Sequence, residues 1–209
     1  MFSLQTIFGK GDKFYGLLER SAAAAEESAR ALHGLLTGAE HAPVMAAFAA
    51  ARAKGKALSA QISEELVNTF VTALDREDID ALNSALYKIP KTVEKFAERY
   101  DIVSRRVAGV DFGQRALVLH RATVVVAEMI GQLRHGLRID TIKAMQDRLQ
   151  TLESEGDRML LAPYRTLYVE GNDAMLAMLA KDLFELLEKA IDKCRDVGNI
   201  VYAIVLKNS

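Results

Sequence analysis

Tryptophan is missing from this sequence, cysteine occurs once, proline three times, and aromatic residues make up only 7%. β-Sandwiches and barrels draw on aromatic and β-branched residues and on frequent turn formers, so the shortage argues against both. The single cysteine, Cys194, cannot close a disulfide within the chain. It sits in a helical pattern where small apolar residues are expected, which marks it as core rather than as a reactive thiol. Neither sign of charge dominates: 27 Lys and Arg stand against 28 Asp and Glu, a formal −1. No global field therefore gathers nucleic acid or anionic lipid, although a basic patch can still exist locally. The most apolar stretch, Ala122 to Ile130, is interrupted by Glu128 and is far shorter than the roughly 20 residues a bilayer crossing needs, so membrane contact is expected to be peripheral at most. Met1 to Lys10 lacks the charged region and long apolar run of a secretory signal, which gives a cytoplasmic expectation. A phosphate-cradling glycine loop, a nucleophile–base pattern and zinc spacing are also wanting, and no enzymatic activity is expected.

What the sequence does have is helix-forming material. Half of its 209 residues are apolar, and Ala, Leu, Glu, Lys and Arg dominate, the usage of a helical bundle. Breakers and periodicity divide the chain into six helices. The first runs from about Lys13 to Thr37, with Leu17, Leu18, Ala22, Ala25, Ala29, Leu32 and Leu36 at helical spacing, and ends at Gly38. Pro43 opens a second that continues to about Phe70. Asp75 caps a third, which reaches about Val103 and should kink at Pro90. A fourth spans roughly Asp111 to Leu137. A fifth starts after the cap candidate Asp140 and runs towards Glu170, with a bend at Pro163. Gly171-Asn172 separates it from a sixth, Ala174 to about Leu206, whose apolar stripe is Leu176, Leu179, Leu183, Leu186, Leu187, Ala190, Cys194, Val197, Val201 and Ile204. The expected fold is all-α and elongated.

Shifting the sequence by 101 positions against itself aligns helix one with four, two with five and three with six without a gap. Arg20 then meets Arg121, Glu27 meets Glu128, Gly55 meets Gly156, and Lys88 meets Lys189. The alignment predicts two pseudo-symmetric three-helix halves, residues 1–106 and 107–209, packed as one elongated domain.

Two Glu-x-x-x-Asp pairs stand out in the second half: Glu153 with Asp157, and Glu188 with Asp192. Each pair shares a helix face, and like charges at that spacing repel by a few tenths of a kcal/mol. Two such pairs on neighbouring helices call for a cation between them. Carboxylates without Cys or patterned His suit hard or borderline ions such as Mg, Ca, Mn or iron. Plain solvation of both pairs is the simpler alternative. In the first half the equivalent positions carry Arg52, Lys56, Tyr87 and Lys91, which cannot bind a cation in the same way. That basic cluster is either structural, its lysines reaching into water, or a holder of an anion or of a partner's acidic face.

These residues resemble the PhoU-like proteins, and more narrowly the DUF47 branch of phosphate-transport regulators or Pit-transporter accessory proteins. The resemblance spans nearly the whole chain. It lies in the opening Phe2-x(5)-Phe8 with Lys13-Phe14-Tyr15, in the segment Asn68-Thr69-Phe70-Val71-Thr72-Ala73-Leu74-Asp75-Arg76-Glu77-Asp78-Ile79, and in Leu187-Glu188-Lys189-Ala190-Ile191-Asp192. Ala73 stands where the family's pattern often has proline. The resemblance implies two three-helix bundles related by a pseudo-twofold, and acidic motifs that can bind metal clusters. Residue by residue, only Glu153, Asp157, Glu188 and Asp192 carry over as metal ligands.

The implied function is a non-enzymatic regulator or accessory of inorganic phosphate transport, with a Pit-type transporter or phosphate-signalling protein as partner. A metal-free helical scaffold that self-associates through helix one or four is the alternative, since the Ala22-Ala23-Ala24-Ala25 run permits close helix approach. A di-iron carboxylate enzyme is disfavoured, because His33, His41, His120 and His135 all lack a glutamate three residues before them.

Overall fold

The computed structural model describes residues 4–38, 44–136, 138–167 and 173–208, and every regular element within them is α-helix. The six are α1 (Leu4–Leu36), α2 (Val44–Asn68), α3 (Arg76–Val103), α4 (Gly113–His135), α5 (Ile139–Leu167) and α6 (Ala174–Lys207). Pro43, Phe2 and the Gly171-Asn172 break, all used in the sequence reading, lie outside the described residues.

Two helix starts and one cap differ from expectation. Helix α1 begins at Leu4, not near Lys13, and runs through Gly9 and Gly11. Each glycine costs a helix only about 1 kcal/mol relative to alanine, which a long helix tolerates. Asp75 does stand at the N-cap of α3, but its side chain makes no capping hydrogen bond; one carboxylate oxygen lies 4.0 Å from Lys207 Nζ instead. Asp140 lies inside the first turn of α5 rather than capping it, where its charge still complements the helix dipole. At α6, Asp173 caps conventionally, its carboxylate accepting from the Met175 N–H at 2.9 Å.

Helices α1, α2 and α3 pack against one another, as do α4, α5 and α6. Two contacts join the sets, α1 with α4 and α3 with α6. Each is between helices 101 residues apart in sequence, the pairing that a twofold relation between halves produces. Both crossings are antiparallel. In the first, Arg134 near the end of α4 forks onto Glu19 of α1 at 2.9 and 3.1 Å, while Gly113 at the start of α4 lies beside Thr37. In the second, Lys207 at the end of α6 reaches Asp78 at the start of α3 at 2.8 Å, and Arg106 just beyond α3 lies 3.9 Å from Asp173.

The core is continuous through both sets. The alanines of α1 belong to it: Ala22, Ala24 and Ala25 are fully buried, so this run packs within the chain. Helix α4 is long and apolar enough, by length and composition, to cross a membrane, which the shorter Ala122–Ile130 run did not suggest. Here it is a core helix, with twelve of its residues buried among α1, α5 and α6. Four aromatic rings join the end of α3, the residue before α4 and α6. Phe96 stacks on Tyr100, both meet Phe112 edge-on, and Phe112 touches Phe184 of α6 with centroids 4.7 Å apart. Cys194 is buried completely, and desolvation drives its thiol pKa far above the ordinary range.

Candidate functional site

The α5–α6 contact brings the four acids of the second half together, but a residue the sequence reading overlooked lies among them. Arg195, one turn past Asp192, donates from Nη1 to Glu153 and places Nη2 3.4 Å from Asp192 Oδ1. Glu188 completes the group: its carboxyl is pushed above the usual glutamate range by partial burial first, then by Asp157 and Asp192, with Arg115 pulling it back. The close approach of the helices depends on Gly156, whose notional Cβ would come within 3.1 Å of Ile191 Cδ1.

A second arginine serves the same site from below. Arg115 of α4 is buried, donates to the Gly156 carbonyl at 2.8 Å, and lies 4.8 Å from the Phe184 ring centroid. Two guanidinium groups thus supply the positive charge that the acid pattern called for. Among the described residues, no three His, Cys, Asp or Glu side chains are placed to hold a metal ion. As arranged, Glu153, Asp157, Glu188 and Asp192 do not fit a resident cation, because Arg195 stands between two of them.

The first half repeats this arrangement with its signs exchanged. Arg52 of α2 pairs with Glu94 of α3 at 3.2 Å. Arg52 is the counterpart of Glu153, and Glu94 is the counterpart of Arg195, each 101 residues away. Acid and base have changed places in a contact that the chain makes twice. The glycines obey the same rule: a Cβ on Gly55 would lie 3.5 Å from Pro90 Cγ, and Pro90 is the counterpart of Ile191. Arg52 also lies 4.2 Å over the ring of Tyr87, the residue standing where the second half has Glu188. Lys56 and Lys91 point into solvent. Of the predicted basic cluster, Arg52 is therefore committed to the fold, and the two lysines are not.

Glu188 yields a measurable consequence. A carboxyl whose folded pKa exceeds its unfolded one binds a proton more readily when folded, so its contribution to stability falls as pH rises from the ordinary glutamate range of about 4.3 through the raised folded value. At neutral pH the cost is fully present. Glu188→Gln should stabilise the protein at pH 7 by about 0.5 kcal/mol, the scale of like-charge pairs on helices, and raise the melting temperature by roughly 1–2 °C. Differential scanning at pH 7 and pH 4 checks this; the advantage should vanish at the lower pH. A Glu188→Gln protein less stable at pH 7 would mean that the carboxylate is a net stabiliser.

No protein-family model matches this sequence. Among curated proteins, UPF0111 protein YkaA of Bacillus subtilis (strain 168) is 22% identical over 146 residues, which span 70% of this chain and 71% of that protein. Two crystal structures from Shewanella oneidensis MR-1 match almost end to end. One, of a PhoU-like protein, has a TM-score of 0.81 at 16% identity and covers 93% of this chain and 99% of its own. The other, described as a PhoU-like phosphate regulatory protein, has a TM-score of 0.77 at 16% identity and covers 95% and 99%. The chain has the PhoU-like fold, as the resemblance implied.

Proposed function

We propose that this chain is a regulatory or accessory protein of inorganic phosphate transport, working in the cytoplasm by binding rather than by catalysis. Its proposed partner is a Pit-type phosphate transporter or a phosphate-signalling protein. The observation that carries this reading is the end-to-end likeness to a structure described as a PhoU-like phosphate regulatory protein, which covers 95% of this chain. Chemistry in the chain itself supports a binding role. Glu153 and Asp192 are engaged by Arg195, and the Cys194 thiol is buried and held protonated. We further infer that the acid quartet is neutralised by Arg195 and Arg115, so that a divalent or iron cation could settle there only by displacing Arg195.

The decisive experiment is phosphate uptake in a strain lacking the gene, grown under phosphate limitation and under excess. Uptake should change at least about twofold in one regime and return on complementation. Uptake identical to the parent in both regimes would remove the proposed function.

A further inference from the structure

Where α3 and α6 run antiparallel, they leave a groove of about 530 Å³ whose walls carry an excess of positive charge. Lys88, Lys91, Lys95 and Arg99 follow one another along α3 at spacings of three, four and four, a single stripe about 16 Å long. Lys189 and Lys193 face them from α6. Two acids also line the groove, Asp182 and Glu185, but Glu185 answers Lys181 at 2.9 Å, just as Lys193 answers Asp196 at 2.6 Å. That leaves Lys88, Lys91, Lys95, Arg99 and Lys189 without an ion pair among the described residues, against Asp182 alone. In a chain of net charge −1 this is a marked local concentration.

The groove does not have the character of a pocket for a small anion. The Thr92 hydroxyl in its lining is spent on the Lys88 carbonyl at 2.8 Å, and the groove runs along the middle of two helices, where backbone N–H groups are already bonded. The charge is carried by long exposed side chains, mostly lysines, which act as mobile point charges. Both stripes then continue into apolar residues at one end. Ile102 follows Arg99 on α3 and is 82% exposed; Met178 and Met175 precede Asp182 on α6 and are about half exposed. Antiparallel packing puts these residues at the same end of the seam, which the Arg106–Asp173 pair closes. Methionines on an exposed surface adapt readily to a partner's side chains.

The geometry points to this groove as the docking site for an acidic, amphipathic helical segment of a partner protein, its carboxylates along the Lys88–Arg99 stripe and its apolar side chains on Ile102, Met175 and Met178. An inorganic polyanion would have no use for the apolar end. A flat anionic membrane would meet Asp182 and Glu185 on the groove's wall. A helix in a groove uses both halves of the surface. The inference holds whether or not the partner belongs to phosphate transport.

The probe is a fluorescent synthetic helix of about five turns, with glutamates along one face and two leucines at one end, titrated with the full chain at low and moderate salt. Binding should weaken with salt, fall about tenfold or more in the double variant Lys88→Glu/Lys95→Glu, and fall similarly in Lys189→Glu as an independent reversal on α6. All three side chains are exposed, and unchanged circular dichroism and melting temperature would exclude a folding defect. Ile102→Ser should weaken the leucine-bearing peptide about threefold or more, and leave a peptide with serines at those places unaffected. Affinity within twofold of the parent in both charge variants overturns the proposal. So does a peptide that fails to bind while inorganic polyphosphate, or vesicles containing phosphatidylserine, bind the same groove.

Discussion

Phe184→Ala should lower the unfolding free energy by about 3–5 kcal/mol, the range for a large aromatic removed from a packed core, and the melting temperature by roughly 6–20 °C. The ring is 1% exposed and lies where three parts of the molecule meet. Through Phe112 it reaches Phe96 and Tyr100 of α3, so it links the two sets of helices across their seam. It also lies beneath the Arg115 guanidinium. Truncation therefore leaves a cavity beside a buried charge, and the cost should sit near the upper end of that range. Urea denaturation monitored by circular dichroism gives the number. Phe70→Ala is the control: that ring is 97% exposed, and its loss should stay within about 0.5 kcal/mol. A Phe184→Ala cost below about 1.5 kcal/mol would mean that the aromatic cluster does not fasten the seam.

The second large effect concerns Arg195. Arg195→Glu would add a fifth carboxylate to a site that already holds Glu153, Asp157, Glu188 and Asp192, and would leave Glu153 unanswered. A charged hydrogen bond of this partly buried kind is worth about 1–3 kcal/mol, and the loss should be greater at low salt, where repulsion is least screened. The first half indicates how to repair it, because Arg52 and Glu94 occupy the same contact with the signs reversed. Combining Glu153→Arg with Arg195→Glu should recover at least half of the lost stability. If the double variant is no better than the single one, the two contacts are not equivalent.

A milder substitution at the same position bears on the cation question. Protein purified without chelator should carry less than one equivalent of any divalent or iron cation by elemental analysis, and Arg195→Gln should increase the uptake of added Mn by about tenfold or more, as expected when a competing internal charge is removed. One full equivalent of metal in the parent protein would overturn the internal-neutralisation reading.

Much of the architecture was legible in the residues. Of the apolar stripe of α6, Leu183, Leu187, Ala190, Cys194, Val197, Val201 and Ile204 are buried, as the 3.6-residue spacing required, while Leu176, Leu179 and Leu186 flank the core half-buried. The boundaries were harder. The first helix was expected from about Lys13, but α1 already holds Gly9 and Gly11, because a local penalty of this size cannot stop a propagating helix. The acidic motifs lie along the α5–α6 contact with Arg195 between Glu153 and Asp192, whereas like charges alone pointed outside the chain for their counterion. Arg195 was visible in principle: it lies three residues after Asp192, and its counterpart 101 residues earlier is Glu94, opposite in sign just as Arg52 is to Glu153. Comparing charges pairwise across the repeat, instead of position by position, would have found it. The Lys88–Arg99 stripe escaped for a different reason. Its meaning depends on which helix lies alongside, and only tertiary packing sets α6 against α3.

The exchange of acid for base between the halves has a consequence for assembly. A body with true twofold symmetry offers any ligand two indistinguishable poses, and so invites two copies of it. Here the helix contacts repeat at a sequence spacing of 101 residues while the charges at 52, 94, 153 and 195 invert. A charged binder near these contacts can tell one pose from the other, which favours one-to-one stoichiometry on an otherwise duplicated frame. Two separate identical subunits could not achieve this, since both would carry the same charges; a single chain holds different residues at the two contacts.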